Sequence, residues 1–354
     1  MKVFEGKRIL VTGGTGSLGK VLVRRLLSLV DDNPAKIIVF SRDEAKQHDM
    51  RLEYHHRVAA TDEIIYHNFQ EKLEFRIGDV RDYHSVAGVL RNVDIVFNTA
   101  ALKQVPTCEY FPFEAVQTNI GGPENFIRAI QQHATQVETV VGISTDKACK
   151  PVNAMGMTKA IQERVLIQAN MRCPGTRFIC VRYGNVLASR GSVIPLFHDQ
   201  IRNGGPVTIT TSEMTRFLLS LEDAVDTIFA AVKSGLPGET YIPRIPSARI
   251  VDIAKALIGH RGIEVKITGI RPGEKVDEIL VSDEESYRTI ERDSYYVILP
   301  MLPELCGVRT TERCLFKEYS SSDTVMSLQQ VICVLQERGL MLEDVRNETR
   351  EVLR

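Results

Sequence analysis

Six short apolar segments alternate with helical segments over the first 184 residues, and this alternation restricts the chain to one broad class of fold. The strand candidates are Arg8–Thr12, Lys36–Phe40, Leu73–Ile77, Ile95–Asn98, Thr139–Ile143 and Phe178–Tyr183. After the first of them, apolar residues recur at helical spacing, as at Val21, Leu22, Leu26 and Leu29. Strands rich in β-branched residues, each followed by a helix, form a parallel sheet that helices cover on both faces. The sequence therefore predicts an α/β protein with a doubly wound parallel sheet.

A glycine-rich loop follows the first strand candidate and opens the first helix candidate. Gly13 permits a tight turn, Gly16 lets the backbone approach a pyrophosphate, and Gly19 lets the helix pack on the sheet. The exposed amides at the start of this helix, which suit an anion, belong to Thr15, Ser17 and Leu18. The pattern predicts a dinucleotide site at the carboxyl ends of the strands.

The ends of the next strands offer further contacts for a dinucleotide. The second strand ends in Ser41 and Arg42, and an arginine here suits the 2′-phosphate of NADP, whereas an acidic residue would suit NAD. We therefore predict NADP, with NAD as the less favoured cofactor. The other candidates for cofactor contact are Asp79, Val80, Ala100, Ala101, Lys103, Asn119 and Lys159. The two alanines are equally consistent with simple strand packing.

The segment from Ser144 to Lys159, STDKACKPVNAMGMTK, contains the candidates for proton transfer. Together with the glycine-rich loop, this segment resembles the active-site segment of short-chain dehydrogenases/reductases, in which a tyrosine precedes the catalytic lysine by four residues. In this resemblance Lys159 is the lysine. The earlier position holds Met155, and a thioether is neither a proton acid nor a base. Either the chain is not a catalyst, or the acid–base chemistry has moved to Asp146 and Lys147 on the preceding loop.

Composition and charge make several classes of function poor candidates. The 354 residues are 44% hydrophobic and 25% charged, and the net charge of −1 favours neither nucleic acid nor membrane as a partner. Seven cysteines without a CxxC pair indicate reduced thiols, so we expect a cytoplasmic protein without a disulfide frame or a metal site. The polar stretch Glu53–Glu71 contains His55, His56 and His67, but their spacing fits no common ligand set. A solvated helical insertion is the preferred interpretation.

Eight motifs occur in order: ALKQVP (101–106), EAVQTNIGG (114–122), STDKA (144–148), NAMGMTKA (153–160), RYGNV (182–186), SRGSVIPLF (189–197), MTRF (214–217) and RPGEK (271–275). In these motifs the sequence resembles the inverting UDP-N-acetylglucosamine 4,6-dehydratases of bacterial capsule, O-antigen and flagellar-glycan pathways. Those enzymes are extended short-chain dehydrogenases/reductases with a Rossmann fold. One branch of that family has methionine in place of the tyrosine, and Met155 fits this branch.

The resemblance implies a reaction and a role for each candidate in it. Hydride passes from C4 of the sugar to NADP, a base removes the C5 proton, O6 leaves as water with the help of an acid, and hydride returns to C6. The resemblance implies Asp146 as the acid at O6, Lys147 as the base at C5 and Thr145 as a partner of O4. A lysine base must be neutral part of the time, which burial under a closed substrate and the nearby Lys159 would promote. The group that deprotonates O4 stays open among Lys159, Lys103 and a water molecule.

The resemblance also implies a sugar-nucleotide site, with UDP-N-acetylglucosamine or a similar UDP-sugar as substrate. The candidate substrate contacts are Lys103, Asn185, Ser189, Arg190, Ser192, Arg216, Arg271 and Glu274. Arginines suit the diphosphate because a guanidinium offers two parallel donors. The alternatives are a UDP-sugar C4 epimerase, which needs no acid and base at C6 and C5, and a non-catalytic NADP-sensing protein.

Beyond residue 184 the alternation of strands and helices becomes irregular. We therefore predict an NADP-binding domain over residues 1–184 and a smaller mixed α/β substrate lobe over residues 185–300, interleaved with it. Residues 301–354 are predicted to form a tail that acts as a latch or as an oligomer contact. The resemblance implies a homo-oligomer, a hexamer or smaller.

Overall fold

The structure is a computed structural model that describes residues 2–55, 63–133, 136–187, 192–270, 273–306 and 313–344. Its strands within these ranges are β1 Arg8–Thr12, β2 Lys36–Ser41, β3 Leu73–Ile77, β4 Ile95–Asn98, β5 Thr139–Thr145, β6 Arg177–Tyr183, β7 Val207–Ile209, β8 Thr215–Phe217, β9 Thr240–Pro243, β10 Ser247–Arg249, β11 Val265–Ile267, β12 Ile279–Val281, β13 Thr289–Arg292, β14 Tyr295–Ile298 and β15 Tyr319–Ser320. The six strands expected in the first half are all present, each within two residues of its expected bounds.

The helices of the described ranges connect these strands. They are α1 Ser17–Leu27, α2 Glu44–His55, α3 Glu63–Lys72, α4 Tyr83–Val89, α5 Val105–Tyr110, α6 Pro112–Val116, α7 Gly122–His133, α8 Ala154–Arg172, α9 Val193–Arg202, α10 Leu221–Ser234, α11 Ile250–Ile258, α12 Asp283–Ser286, α13 Pro303–Cys306 and α14 Leu328–Glu337. A π-helical segment, Gln117–Gly121, precedes α7, and a 3₁₀ turn, Asp146–Ala148, follows β5. In the described part of the chain, no helix combines the length and the apolar character that crossing a membrane needs.

The central sheet has nine strands in the order β13-β14-β9-β6-β5-β4-β1-β2-β3. Its seven strands from β9 to β3 run parallel, and β14 and β13 add an antiparallel edge. The strand order reverses between β1 and β4, and ligands of doubly wound sheets bind in the crevice at such a point. The predicted Rossmann-type α/β fold is confirmed.

Apolar cores cover both faces of the sheet. Along β1, Ile9 and Val11 enter one core with α1 and α10, while Leu10 enters the other with α4 and α7. This division follows from the pleat, because successive side chains of a strand point to opposite faces. Strands buried on both faces explain the nearly continuous apolar runs in the sequence.

The second half of the chain both completes the central sheet and builds a separate apolar core. Strands β9, β13 and β14 lie in the sheet although they follow residue 184. The separate core joins α9, α11 and α14, with Val331 and Leu335 of α14 fully buried. Residues of the predicted tail therefore pack against their own chain.

The stretch Glu53–Glu71 differs from the expected solvated insertion. Its described parts are helical, but Tyr54 and Phe69 are buried and stack with ring centroids 5.3 Å apart. Asn68 is also buried and donates to the carbonyl oxygen of Leu27 at 2.7 Å. Polar residues surround these buried residues in the sequence, so their burial was not predicted. The ring stacking joins α2 to α3, and the hydrogen bond joins α3 to α1. The side chains of the three histidines lie outside the described residues.

Candidate functional site

The loop between β1 and α1 and the first turn of α1 each contain a glycine that has no room for a side chain. Gly13 has a φ of +61°, and a Cβ there would lie 2.9 Å from the Cα of Ala100. A Cβ on Gly19 would lie 2.5 Å from the Cα of Gly14 and 2.6 Å from the carbonyl oxygen of Gly13. Gly16 is the N-cap of α1 and offers no side chain, so no capping side chain occupies the first amides of the helix. This cradle fits a dinucleotide pyrophosphate.

Other groups at the carboxyl ends of the strands fit the same ligand. Thr15 and Ser41 approach each other with their hydroxyl oxygens 3.5 Å apart. The Arg42 side chain is 59% exposed and lies 3.7 Å from a carboxylate oxygen of Asp79. At the end of β4, the buried Nδ2 of Asn98 has no hydrogen-bond partner among the described residues.

Asp79 keeps a negative charge beside Arg42. Burial alone would raise the pKa of Asp79, but hydrogen bonds from Arg81 outweigh it, and the pKa lies below its ordinary value. One of these bonds joins Nη2 of Arg81 to the carboxylate at 2.8 Å. Val80, Ala100 and Ala101 lie near by along the same edge of the sheet, and their contact with a cofactor stays a prediction.

Replacing Gly19 by alanine is expected to weaken the binding of a nicotinamide dinucleotide. The new methyl group meets only backbone atoms, which cannot rotate away, so the amides of the cradle must shift. Losing one hydrogen bond to a charged group costs about 1.5–3 kcal/mol, roughly 10–100-fold in affinity. Titration calorimetry with NADP measures this change. Gly88→Ala in α4 is the control, because its Cβ meets nothing within 4 Å, and equal affinities for the two variants would contradict the expectation.

Asn119 holds the loop that contains Leu102 and Lys103 by hydrogen bonds to its backbone. It is fully buried in the π-helical segment, and its amide exchanges two hydrogen bonds with the backbone of Leu102, at 2.9 and 3.0 Å. Its Nδ2 also lies 3.0 Å from the hydroxyl of Thr158 in α8. Lys103, one residue beyond Leu102, is exposed. The structure thus shows Asn119 holding the loop, while its contact with a cofactor stays a prediction.

The proton-transfer candidates meet where β5 ends. Thr145 donates to a carboxylate oxygen of the buried Asp146 at 2.8 Å. Nζ of Lys147 donates to both oxygens of Asp146, at 3.2 and 3.1 Å, and to Oδ1 of Asn185 at 3.0 Å. The predicted acid and the predicted base therefore form an ion pair with each other.

Two carboxylates near Lys147 affect the pKa of its amine. Burial would lower the pKa, but the charges of Asp146 and Glu278 outweigh it and hold the pKa above its ordinary value. The expectation of a partly neutral amine concerns Lys147 buried under a closed substrate, and it stays a prediction. One of the two negative charges, that of Glu278, was not expected here from the sequence.

For Lys159, the effect of burial on the pKa outweighs the effect of the nearby charges. It is buried on α8, and Nζ donates to the carbonyl oxygen of Ile143 and to Oε1 of Gln162, the latter at 2.6 Å. Burial lowers its pKa to about 8. One turn earlier, Met155 is buried in a small apolar cluster with Cys108 and Ala115. Lys159 is thus the amine of this segment that is most readily neutral near physiological pH.

Glu278 belongs to this cluster and was missed in the sequence. It is buried immediately before β12, and one oxygen accepts from Nδ2 of Asn185 at 2.6 Å. Nε of Arg216 lies 3.2 Å from the same oxygen. Burial, reinforced by the charge of Asp146, raises the pKa of Glu278 to about 7. The available signal was weak: a single acidic residue three positions after RPGEK, directly before an apolar strand.

The structure places the predicted substrate residues in different surroundings. Arg216 is largely buried and donates to the carbonyl oxygens of Thr215, Val276 and Lys275 at 2.7 to 3.0 Å, so much of its donor capacity is occupied. Glu274 lies 3.8 Å from Arg216. Their contact with a substrate stays a prediction.

Four further substrate candidates complete the set. The Oγ of Ser192 at the start of α9 is buried and has no hydrogen-bond partner among the described residues. Ser189, Arg190 and Arg271 lie outside the described residues. The structure therefore brings Asn185 and Arg216 to the proton-transfer cluster and does not place those three.

A rigid frame holds the cluster. A Cβ on Gly156 would lie 2.2 Å from the carbonyl oxygen of Lys147, so α8 packs directly on the 3₁₀ turn. Beneath it, Arg182 of β6 forms buried ion pairs with Glu163 of α8 at 2.6 Å and with Glu285 of α12 at 2.7 Å. These contacts join three elements around the end of β5.

Comparison with known proteins agrees with this fold. Residues 9–300 match the family described as "Polysaccharide biosynthesis protein". The chain is 41% identical to a UDP-glucose 4-epimerase of Rickettsia typhi, over 98% of this chain and 100% of the relative. It is 45% identical to a UDP-glucose 4-epimerase of Rickettsia conorii, over 84% of each protein.

Two solved structures are informative for the fold. Pen from Bacillus thuringiensis is 33% identical, with a TM-score of 0.83 over 96% of this chain and 99% of that chain. DesIV, a dTDP-glucose 4,6-dehydratase of Streptomyces venezuelae solved with NAD and TYD, is 22% identical, with a TM-score of 0.62 over 76% of this chain and 86% of that chain. The second likeness is evidence for the fold alone. The family match spans most of the sequence, and the chain belongs to the polysaccharide biosynthesis protein family.

Proposed function

We propose that the protein is an NADP-dependent UDP-N-acetylglucosamine 4,6-dehydratase that inverts C5. Its product would be a UDP-2-acetamido-2,6-dideoxy-4-hexulose for bacterial polysaccharide biosynthesis. The relatives named as UDP-sugar enzymes support the substrate class, and the family description supports the pathway. The observation that carries the proposal is the Asp146–Lys147 ion pair at the carboxyl end of β5, because elimination needs an acid and a base close together.

The strand ends support a nicotinamide cofactor. The glycine cradle would hold its pyrophosphate, and Arg42 would hold the 2′-phosphate of NADP, since it is exposed at the end of β2. The chemistry that the bound nicotinamide supplies is removal of hydride from C4 and its return to C6.

The ion pair can generate both reactive species with one proton. Transfer of a proton from Nζ of Lys147 to Asp146, over 3.1 Å, produces a neutral amine and a carboxylic acid. The amine then takes the C5 proton, and the acid protonates O6, which leaves as water. Both residues thereby return to their charged forms. When hydride returns to C6, C5 takes a solvent-derived proton on the face opposite to Lys147, and this step inverts C5. Substrate that excludes water would favour the transfer, because low polarity penalises the two charges.

Deprotonation of O4 is assigned to Lys159. Its pKa of about 8 leaves part of the amine neutral at physiological pH, so it can accept a proton. Lys147 is less suited, because Asp146 and Glu278 hold its pKa high. Met155 packs in an apolar cluster and takes no part in proton transfer.

The names of the relatives favour a second candidate, a UDP-glucose 4-epimerase. An epimerase also oxidises C4, but it turns the keto sugar over and returns the hydride to the other face of C4. Such a reaction leaves C5 and C6 unchanged, so it needs neither the acid nor the base that the Asp146–Lys147 pair would supply. The dehydratase accounts for that pair, and we therefore prefer it.

Proton NMR of the products distinguishes these candidates. The purified protein is incubated in D₂O with NADP and either UDP-N-acetylglucosamine or UDP-glucose. The dehydratase is expected to convert the first substrate to a 4-keto sugar with a C6 methyl group and deuterium at C5. An epimerase produces UDP-N-acetylgalactosamine or UDP-galactose without deuterium at C5. Recovery of both substrates unchanged would contradict both candidates and favour a non-catalytic protein.

We further propose a cytoplasmic homo-oligomer, a hexamer or smaller. Large apolar side chains are exposed on neighbouring helices α5 and α6 and the residue between them, namely Tyr110, Phe111 and Phe113. Apolar patches of this kind are typical of interaction sites. Sedimentation velocity of the purified protein measures the subunit number, and a monomer at all concentrations would contradict the proposal.

A further inference from the structure

Three polar side chains from separate segments form a line that ends at Lys147. Glu278 accepts from Nδ2 of Asn185 at 2.6 Å, and Oδ1 of Asn185 accepts from Nζ of Lys147 at 3.0 Å. We propose that Glu278 is a positioning residue for Lys147, on which it acts through the side-chain amide of Asn185. The inference rests on the proposed function, in which Lys147 is the base at C5.

The chemistry of the three groups permits only one direction for this line. An ammonium group has no acceptor, so the amide must present its oxygen to Lys147. An ionised carboxylate has no donor, so the amide must present its nitrogen to Glu278. If the Asn185 amide flipped, its NH₂ group would face the ammonium group of Lys147 and its oxygen would face the carboxylate of Glu278, and both contacts would be repulsive. Glu278 thus fixes the orientation of Asn185, and Asn185 fixes the position of the amine.

Glu278 is itself held firmly. Its second oxygen accepts from the backbone N–H of Phe217 at 3.3 Å, and its own N–H donates to the hydroxyl of Ser321 at 2.8 Å. Nε of Arg216 lies 3.2 Å from its first oxygen. These partners come from β8 and from the segment after β15, whereas Lys147 follows β5. The position of Lys147 therefore depends on residues from the second half of the chain.

The charges around Lys147 divide into two signs. Asp146 and Glu278 favour the ammonium form, whereas Arg216 disfavours it. Lys275 also interacts with Lys147 and donates to the carbonyl oxygen of Cys149 at 2.6 Å. Removing the charge of Glu278 leaves Asp146 as the main opposing charge. The proton affinity of Lys147 should then fall, since an opposite charge near by favours the charged form.

Competitive labelling of the amines with acetic anhydride tests this inference without turnover. Only a neutral amine reacts, so the extent of acetylation at Lys147 relative to exposed Lys266 reports the neutral fraction. In Glu278→Gln, acetylation of Lys147 at pH 8.5 is expected to rise, because the neutral fraction of an amine increases as its pKa falls. Asp277→Asn is the matched control, since Asp277 accepts from Thr215 at 2.6 Å instead. Equal labelling in the wild type and both variants would overturn the inference.

A second measurement covers the case in which Glu278→Gln does not fold. Asn185 is exposed, so Asn185→Ala is expected to fold and to cut the line. Deuterium entry at C5 in a single turnover at saturating substrate should fall roughly tenfold or more, because misplaced catalytic groups lose rate steeply. Where both variants fold, the double variant should be no slower than the slower single one. Wild-type deuterium entry in Asn185→Ala would overturn the inference. If the wild type forms no keto sugar, the proposed function fails, and the labelling experiment still tests the link.

Discussion

Replacement of Lys147 by arginine is expected to stop deuterium entry at C5 while NADP still binds. Arginine keeps the positive charge beside Asp146, so the buried carboxylate stays paired. A guanidinium does not deprotonate near neutral pH, so it cannot act as the base. General-base catalysis contributes about 10²–10⁴-fold, and a loss of that size is expected in the single-turnover rate. NMR measures deuterium at C5, and calorimetry measures NADP affinity.

The control for this variant is Lys150→Arg. Lys150 lies three residues later and pairs with Asp283 at 3.1 Å and with Glu318 at 2.6 Å, away from the proton-transfer pair. It should retain the wild-type rate. Deuterium entry at the normal rate in Lys147→Arg would assign the base to another group, and the ion pair would then lose its proposed role.

Replacement of Arg182 by methionine is expected to lower the free energy of unfolding more than any other single change considered for this protein. The Arg182 side chain is 3% exposed and neutralises Glu163 and Glu285, both of which are largely buried. Methionine fills similar volume but leaves two carboxylates without a counter-charge. Removing one partner of a buried ion pair costs about 3–5 kcal/mol. Urea denaturation followed by circular dichroism measures the loss.

The matched control is Arg76→Met at the edge of the sheet. The Arg76 side chain is 63% exposed and pairs with Glu74, and exposed pairs contribute about 0–1 kcal/mol. The triple variant Arg182→Met, Glu163→Gln and Glu285→Gln should recover part of the stability, because it removes the unpaired charges as well. Equal stability of Arg182→Met and Arg76→Met would show that the buried ion pairs do not hold the frame.

The sequence predicted the strands of the first half well because each is a short apolar run with a local boundary. Gly13 directly follows β1 and Asp79 closely follows β3, so the residues that mark the end of each strand lie within a few positions of it. The second half was harder to predict. Strands β9, β13 and β14 join the sheet next to β6, and that pairing depends on residues far apart in the chain.

In the candidate site, too, the residues of a local motif were predictable, whereas contacts between distant residues were not. Asp146 and Lys147 were recognisable from their motif, but their mutual ion pair and the raised pKa of Lys147 were not. The raised pKa depends in part on Glu278, which lies more than a hundred residues later. No local pattern marks a lone glutamate before an apolar strand as a member of this cluster.

By itself, the sequence determined the parallel sheet, the glycine cradle and the loss of a phenolic acid at Met155. Each of these follows from residue types at short spacings, where sterics and side-chain chemistry act locally. Only the tertiary structure decided which charged and polar groups lie together. Proton affinity depends on burial and on charges within a few ångströms, and folding brings Asn185 and Glu278 to Lys147 from other parts of the chain.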